Sequence, residues 1–126
     1  FSDATDRVTL DLTKAYEVDS LTSLKRTFVY QRGQTGSVEV IDAVAYTQPE
    51  AFETALITYA EWTLNDDGSL TITDGDSAIN VTVSSPEGDV EFAHCIIEES
   101  ATPTRLSWRL KTPVTQANVT ISVHTL

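Results

Sequence analysis

Two histidines and one cysteine are the side chains of this sequence most suited to metal binding or nucleophilic chemistry: His94, Cys95 and His124. A zinc site needs three or four ligands drawn from His, Cys, Asp and Glu. His94 and Cys95 are neighbours in an alternating segment, so they point to opposite faces of a strand and do not readily share one ion. We therefore predict no metal ligand. His94 is expected at the rim of the core, His124 at the surface, and Cys95 as an inert buried thiol.

Acidic residues gather in two turn-like segments, residues 65–69 and 74–77, whose composition is similar to that of calcium loops. Their spacing does not match the D-x-[DN]-x-[DN]-G pattern, and no bidentate Glu follows at the required offset. Asn, Asp and Gly are also the residues that tight turns favour, so the turns explain them without an ion. The adjacent pair Glu98 and Glu99 is expected on a solvated edge, because glycoside hydrolysis needs two carboxylates that flank the bond. We predict no catalytic residue and no cofactor.

A basic stripe lies on one face of a late segment: Arg105, Arg109 and Lys111. It could dock an anionic sugar or an acidic neighbouring domain. Cross-strand pairing with acidic residues such as Glu91 is the simpler explanation, and each such pair stabilises a sheet by about 0.2–1 kcal/mol. We expect the pairing.

Aromatic residues would matter most for sugar binding, since a flat ring can stack on a pyranose. Trp108 alternates with leucines and is expected in the core, as is Trp62. Tyr30, Tyr46 and Tyr59 are the candidates for exposed rings. They do not form a clear aromatic platform in the sequence.

The segments that carry these residues alternate apolar and polar side chains with a period of two, which is typical of β-strands with one buried face. Short turns separate them, and no convincing helix is found. Regular spacing with short turns favours an antiparallel sandwich, because parallel strands need crossover helices. We predict an all-β antiparallel sandwich of about nine to ten strands. Its main segments are residues 8–12, 24–30, 38–47, 54–64, 70–72, 79–83, 90–96, 106–110 and 119–123.

Composition limits the function further. A chain of 126 residues with 40% apolar residues is expected to form one domain over residues 1–126. The net charge of −11 opposes binding to nucleic acid. The sequence has no apolar run of about 18 residues, so we expect no membrane span. It contains no Met and opens on Phe1, and we expect it to be cut from something longer.

Four segments carry a family resemblance: L-D-L-T-K-A-Y (residues 10–16), L-K-R-T-F-V-Y (24–30), F-E-T-A-L-I-T-Y-A-E-W (52–62) and P-T-R-L-S-W-R-L-K-T-P-V (103–114). In this order they resemble the C-terminal β-region of heparinase II/III-like proteins, over most of the chain. Members of that family are polysaccharide lyases of bacteria, usually exported, that join an α/α toroid to β-sheet domains.

The resemblance implies a parent enzyme that cleaves uronic-acid-containing polysaccharides by β-elimination and is secreted or periplasmic. The catalytic Tyr and His of that family, and its zinc site, belong to the toroid and the central β-domain. No motif of this sequence matches them, so no functional residue is transferred. The chain is then expected to be a non-catalytic C-terminal domain that supports the parent's own catalytic domains, its implied partners. An acidic polysaccharide would be bound only through the parent.

Two other functions remain open at this point. An independent carbohydrate-binding module would need two or more coplanar aromatic rings at the surface. An immunoglobulin-like interaction domain would bind protein through its edge strands. A domain that packs on a neighbour should instead expose a sizeable apolar patch when it stands alone.

Overall fold

The computed structural model describes residues 5–32, 36–97 and 102–126. Within these ranges the regular elements are ten β-strands and a 3₁₀ turn at Thr13–Ala15, with no α-helix. No helix there has the length and apolar character needed to cross a membrane. The strands are β1 (Thr5–Asp11), β2 (Leu21–Gln31), β3 (Ser37–Glu50), β4 (Glu53–Thr58), β5 (Glu61–Leu64), β6 (Leu70–Asp74), β7 (Ser77–Ser84), β8 (Val90–Ile96), β9 (Thr104–Leu110) and β10 (Val114–Thr125).

The strands form two sheets. The larger sheet has seven strands in the order β1-β2-β3-β10-β7-β6-β5, and the smaller has three in the order β4-β9-β8. Every pair of neighbouring strands is antiparallel. The predicted all-β antiparallel sandwich of nine to ten strands is confirmed. Residues 33–35, between β2 and β3, lie outside the described residues.

Strand register gives the larger sheet one apolar and one polar face. Leu24 lies opposite Val44, and Ile121 lies opposite both Val40 and Val83. Directly opposed residues share a face of a sheet, so these side chains form one continuous apolar surface, which we call the inner face. The outer face is rich in small hydroxyl residues: Thr9, Thr27, Thr82, Thr120 and Ser122.

The smaller sheet packs on this inner face, and β9 supplies the centre of the contact. Leu106 and Trp108 are buried against Leu70, Val81 and Ile121. A second cluster surrounds Leu110 where the β3–β4 connection crosses between the sheets, and its buried members are Leu24, Val44, Phe52, Leu110, Ala117 and Val119. The predicted core positions of Trp108 and, half-buried, of Trp62 agree with this packing.

One predicted strand is wrong in a way that shapes the molecule. Residues 54–64 alternate without a break in the sequence, but they form β4 in the smaller sheet and β5 in the larger one. The chain bends at residues 59–60, where the Ala60 amide donates a hydrogen bond to the Thr58 hydroxyl (3.0 Å). Leu56 and Trp62, which both pack on the core, are an even number of residues apart. A period of two is therefore kept across the bend, and the pattern alone does not reveal it.

The larger sheet extends beyond the smaller one on the side of β1 and β2. The smaller sheet contacts β2 near Leu24, then β3, β10, β7 and β6. Further along β2 and on β1, the inner side chains are exposed. We call this part of the larger sheet the open inner face, and its apolar residues are Val8, Leu10, Phe28 and Tyr30.

Candidate functional site

His94 and Cys95 lie on β8 with their side chains on opposite faces, as expected. The His94 ring is exposed and lies 4.7 Å from the Trp62 ring, with Phe92 stacked at 6.1 Å, so it borders the core. Cys95 points outward and is exposed, which contradicts the predicted buried thiol. The physical reason is that the smaller sheet has no further layer on its outer side among the described residues.

His124 is exposed on the outer face of the larger sheet near the end of β10, whereas His94 lies in the smaller sheet. Among the described residues, no group of three or more His, Cys, Asp and Glu side chains is close enough to hold a metal ion. Glu98 and Glu99, the adjacent carboxylates considered from the sequence, lie outside the described residues.

The first acidic turn uses its polar groups internally. Asp67 Oδ1 accepts hydrogen bonds from the Ser69 amide (2.9 Å) and hydroxyl (2.6 Å), and these bonds lower the pKa of the Asp67 carboxyl. The side-chain amide of Asn65 donates hydrogen bonds to the hydroxyls of Ser69 and Thr71. Gly68 has a φ of 88°, a conformation that glycine adopts without strain. The turn accounts for these residues by its own hydrogen bonds.

Stability should fall in acid partly through such carboxylates. Hydrogen bonds from Thr13 lower the pKa of Asp11, those from Ser69 that of Asp67, and a bond from the Asn118 amide that of Glu87. A carboxyl whose pKa is lower in the folded state contributes stability that is present at neutral pH and is lost as the pH falls through the folded pKa. We expect the melting temperature to drop below about pH 4. Thermal scans between neutral pH and about pH 2.5 measure this.

The variant Asp67→Asn is the control, because its side chain keeps an oxygen acceptor but has no carboxyl group that can be protonated. Its melting temperature should depend less on acid than that of the wild type. Equal acid dependence in the two proteins would contradict the assignment to Asp67.

The basic stripe is only partly paired. Arg105 forms an ion pair with Glu53 across the β4–β9 pair (2.8 Å), on the outward side of the smaller sheet. Glu91, the acidic residue suggested as a partner, lies opposite Arg109 in the register, but the structure gives no ion pair between them. Lys111 lies beyond the end of β9. The cross-strand pairing is therefore present with a different acidic partner.

The tyrosines do not form a stacking platform within the described residues. Tyr30 lies on the open inner face and Tyr59 in the bend after β4, while Tyr46 is half-buried at the end of β3. The ring contacts join Trp62, Phe92, Trp108 and His94 to one another and include no pair of tyrosines. The guanidinium of Arg32 lies 5.7 Å from the centre of the Tyr30 ring.

The open inner face is the most unusual surface of the described chain. Val8 is 48% exposed, Leu10 45%, Phe28 37% and Tyr30 45%. Val8 pairs directly with Phe28, so the side chains adjoin across two strands. Single exposed apolar residues are ordinary, whereas contiguous exposed apolar groups are less common. The sequence predicted one apolar face for these strands but not that the face would be uncovered.

A polar cluster marks the border between the covered and open parts of the inner face. Arg26 on β2 donates from Nε and Nη2 to the two carboxylate oxygens of Asp42 on β3 (2.7 and 2.9 Å). Thr54 on β4 donates to Asp42 Oδ2 (3.3 Å). The hydrogen bond from Arg26 to Asp42 raises the pKa of the Arg26 guanidinium. The cluster links the smaller sheet's edge strand to the larger sheet.

A cavity of about 200 Å³ opens beside this cluster. Tyr16, Val18, Tyr46 and Phe52 contribute walls, and the Arg26–Asp42 pair contributes the polar side. Burial, together with the nearby charge of Glu50, raises the pKa of the Tyr46 hydroxyl. Tyr16 and Val18 are 51% and 46% exposed.

The edge of β4 borders the open inner face and has unpaired backbone groups. Among the described residues β4 pairs only with β9. The Leu110 amide donates to the Phe52 carbonyl (3.0 Å), and antiparallel pairing alternates, so the even-numbered residues of β4 bond to β9. The amides and carbonyls of Glu53, Ala55 and Ile57 therefore point away from β9, towards the side of the open face.

Charge is distributed unevenly over the chain. Residues 5–32, which include β1 and β2, contain five basic and four acidic residues. The other described residues, 36–97 and 102–126, contain three basic and twelve acidic residues. The segment that carries the open inner face thus has a net charge of about +1, and the remainder about −9. Residues 102–126 contain three basic residues and no acidic one, so the excess of acidic residues lies in residues 36–97.

In comparisons with known proteins, no family model matches this sequence, and no curated protein matches it. The similarity to heparinase II/III-like proteins therefore stays a prediction from the four segments named above.

Proposed function

We propose that the chain is a non-catalytic β-sandwich domain of a larger protein, and that it docks on a neighbouring domain through the open inner face. The main observation in support of this proposal is the position of Val8, Leu10 and Phe28. They belong to the apolar face that elsewhere forms the core, yet they are exposed. Covering such a face stabilises an assembly by about 25 cal/mol per Å² of apolar surface.

The larger protein we propose is a heparinase II/III-like polysaccharide lyase, exported to the periplasm or secreted. In it this domain would support the catalytic toroid and the central β-domain. The net charge of −11 favours such a role over direct capture of an acidic polysaccharide, which the parent would bind elsewhere. A reading frame with several hundred residues of helical-hairpin periodicity ahead of Phe1 would support this. A frame without them would contradict the lyase assignment.

The variant Leu10→Glu tests the docking. In the isolated chain Leu10 is half exposed, and we expect the free energy of unfolding to fall by less than about 1 kcal/mol. In the longer polypeptide the same carboxylate would be buried in an apolar contact, and the loss should exceed about 3 kcal/mol because an unpaired charge is costly to bury. Urea denaturation of both proteins, monitored by a signal specific to this domain, measures the loss of unfolding free energy in each.

Leu64→Glu is the matched control. Leu64 is 49% exposed and lies on β5, at the opposite edge of the larger sheet. Its substitution should have the same small effect in the isolated chain and in the longer polypeptide. If Leu10→Glu also behaved identically in the two proteins, the docking proposal would be wrong.

A further inference from the structure

The smaller sheet ends before the larger sheet does. It has three strands against seven, and its edge strand β4 lies over the middle of the larger sheet, where Thr54 contacts Asp42. Strands lie about 4.8 Å apart within a sheet, and packed sheets about 10 Å apart. Strands added beside β4 would therefore lie directly above β2 and then β1. Those are the two strands whose inner side chains are exposed.

We propose that β4 accepts an extended strand from the neighbouring domain, so that the smaller sheet continues across the open inner face. This inference rests on the proposed function and specifies how docking occurs. The free amides and carbonyls of Glu53, Ala55 and Ile57 would pair with the incoming strand, as in other cases of strand addition to a sheet edge. The first added strand would pair with the β4 edge and lie above β2, and a second strand paired to it would lie above β1.

The residues of the open inner face indicate which side chains the added strands would carry. The inward side chains of the added strands, at every second position, are apolar, because they would meet Phe28 on β2 and Val8 and Leu10 on β1. Residues 5–32, with five basic and four acidic residues, are nearly neutral. We therefore expect alternating apolar strands without a strong net charge.

A second copy of this chain fits the face poorly. Pairing two β4 edges about an axis perpendicular to the sheets would place both β1–β2 hairpins in the same space. An axis in the plane of the sheets would turn the outward side of the partner's β4 towards the open face. That side carries the Glu53–Arg105 ion pair. Pressing this pair onto apolar side chains would cost free energy through desolvation.

Hydrogen–deuterium exchange on the longer polypeptide and on the isolated chain tests the inference. Strand addition should slow exchange of the Glu53, Ala55 and Ile57 amides by roughly 100-fold or more in the longer polypeptide. Hydroxyl-radical footprinting of Leu10 and Phe28 reports separately whether the face is covered. Protected side chains with unprotected β4 amides would overturn strand addition and leave the proposed function standing. Reactive side chains would contradict both.

Two substitutions at one position separate backbone pairing from side-chain contact. Ile57→Pro removes the amide donor at the free edge and leaves the β4–β9 hydrogen bonds intact, because those use the even-numbered residues. Ile57→Thr keeps the donor and removes most of the apolar side chain. Circular dichroism of the isolated variants checks that each still folds.

In the longer polypeptide, Ile57→Pro should release this domain, seen as at least a tenfold faster proteolytic cleavage between the domains. Ile57→Thr should cleave at nearly the wild-type rate. Equal effects of the two substitutions would show a side-chain contact and overturn strand addition. A concentration-dependent dimer of the isolated chain with protected β4 amides would also overturn it, because the occupant would then be a second copy.

Discussion

Replacing Asp42 by alanine is expected to lower the free energy of unfolding by about 3 kcal/mol, because it leaves a guanidinium without its partner between the sheets. Asp42 is 1% exposed. It accepts two hydrogen bonds from Arg26 and one from Thr54. The Arg26 side chain is 30% exposed, so water partly solvates the guanidinium once Asp42 is removed. The loss of stability is therefore expected at the lower end of the range for buried ion pairs.

A double variant separates the cost of breaking this pair from the worth of keeping it. Arg26→Met with Asp42→Leu replaces both ions by apolar side chains of similar size. Buried ion pairs exchanged in this way are often neutral or even stabilising. We expect the double variant to be within about 1 kcal/mol of the wild type, and therefore clearly more stable than Asp42→Ala alone.

Urea denaturation of the three proteins measures both effects through the transition midpoint at constant slope. A loss of less than about 1 kcal/mol for Asp42→Ala would mean that Arg26 finds water once its partner is removed. That result would also remove the cluster as the element that fixes β4 over the larger sheet.

The architecture follows from the sequence because a strand's side chains alternate strictly. Val119, Ile121 and Val123 are spaced by two, and all three lie on the inner face, where Ile121 and Val123 oppose Val40 and Val38 of β3. Short turns with Gly at positive φ, such as Gly68, separate neighbouring antiparallel strands. Local pattern and final fold agree over most of the chain, and this agreement made the sandwich predictable.

The alternation of apolar and polar residues does not predict which of the two sheets a strand joins. The segment from Thr54 to Leu64 keeps its period while it passes from one sheet to the other. The exposure of Cys95 was missed for a related reason. Its strand alternates correctly, but a period of two does not say whether a second layer covers the outward face.

The open inner face was unpredictable for the same reason. The pattern of Val8, Leu10 and Phe28 is that of core residues, and their exposure depends on how far the smaller sheet reaches. That reach is set by the pairing of β4, β9 and β8, which involves contacts distant in sequence.

Replacing Leu106 by alanine is expected to cost about 2–5 kcal/mol, enough to unfold much of the protein if its stability is ordinary for its size. Leu106 is completely buried at the centre of β9, between Leu70 and Ile121 of the larger sheet and beside Trp108. Its removal leaves a cavity that strands on both sides, held by their hydrogen bonds, are poorly able to close. Thermal and urea unfolding, each followed by tryptophan fluorescence, measure the loss.

The same substitution at Leu10 gives the contrast that ties stability to docking. Leu10→Ala removes the same atoms from a side chain that is 45% exposed, so the isolated chain should lose less than about 1 kcal/mol. In the longer polypeptide its cost should rise towards that of Leu106→Ala, because the neighbouring domain would then bury the leucine. The cost of Leu106→Ala should be the same in both proteins. If the costs at the two positions failed to converge in the longer polypeptide, Leu10 would not be part of an interface.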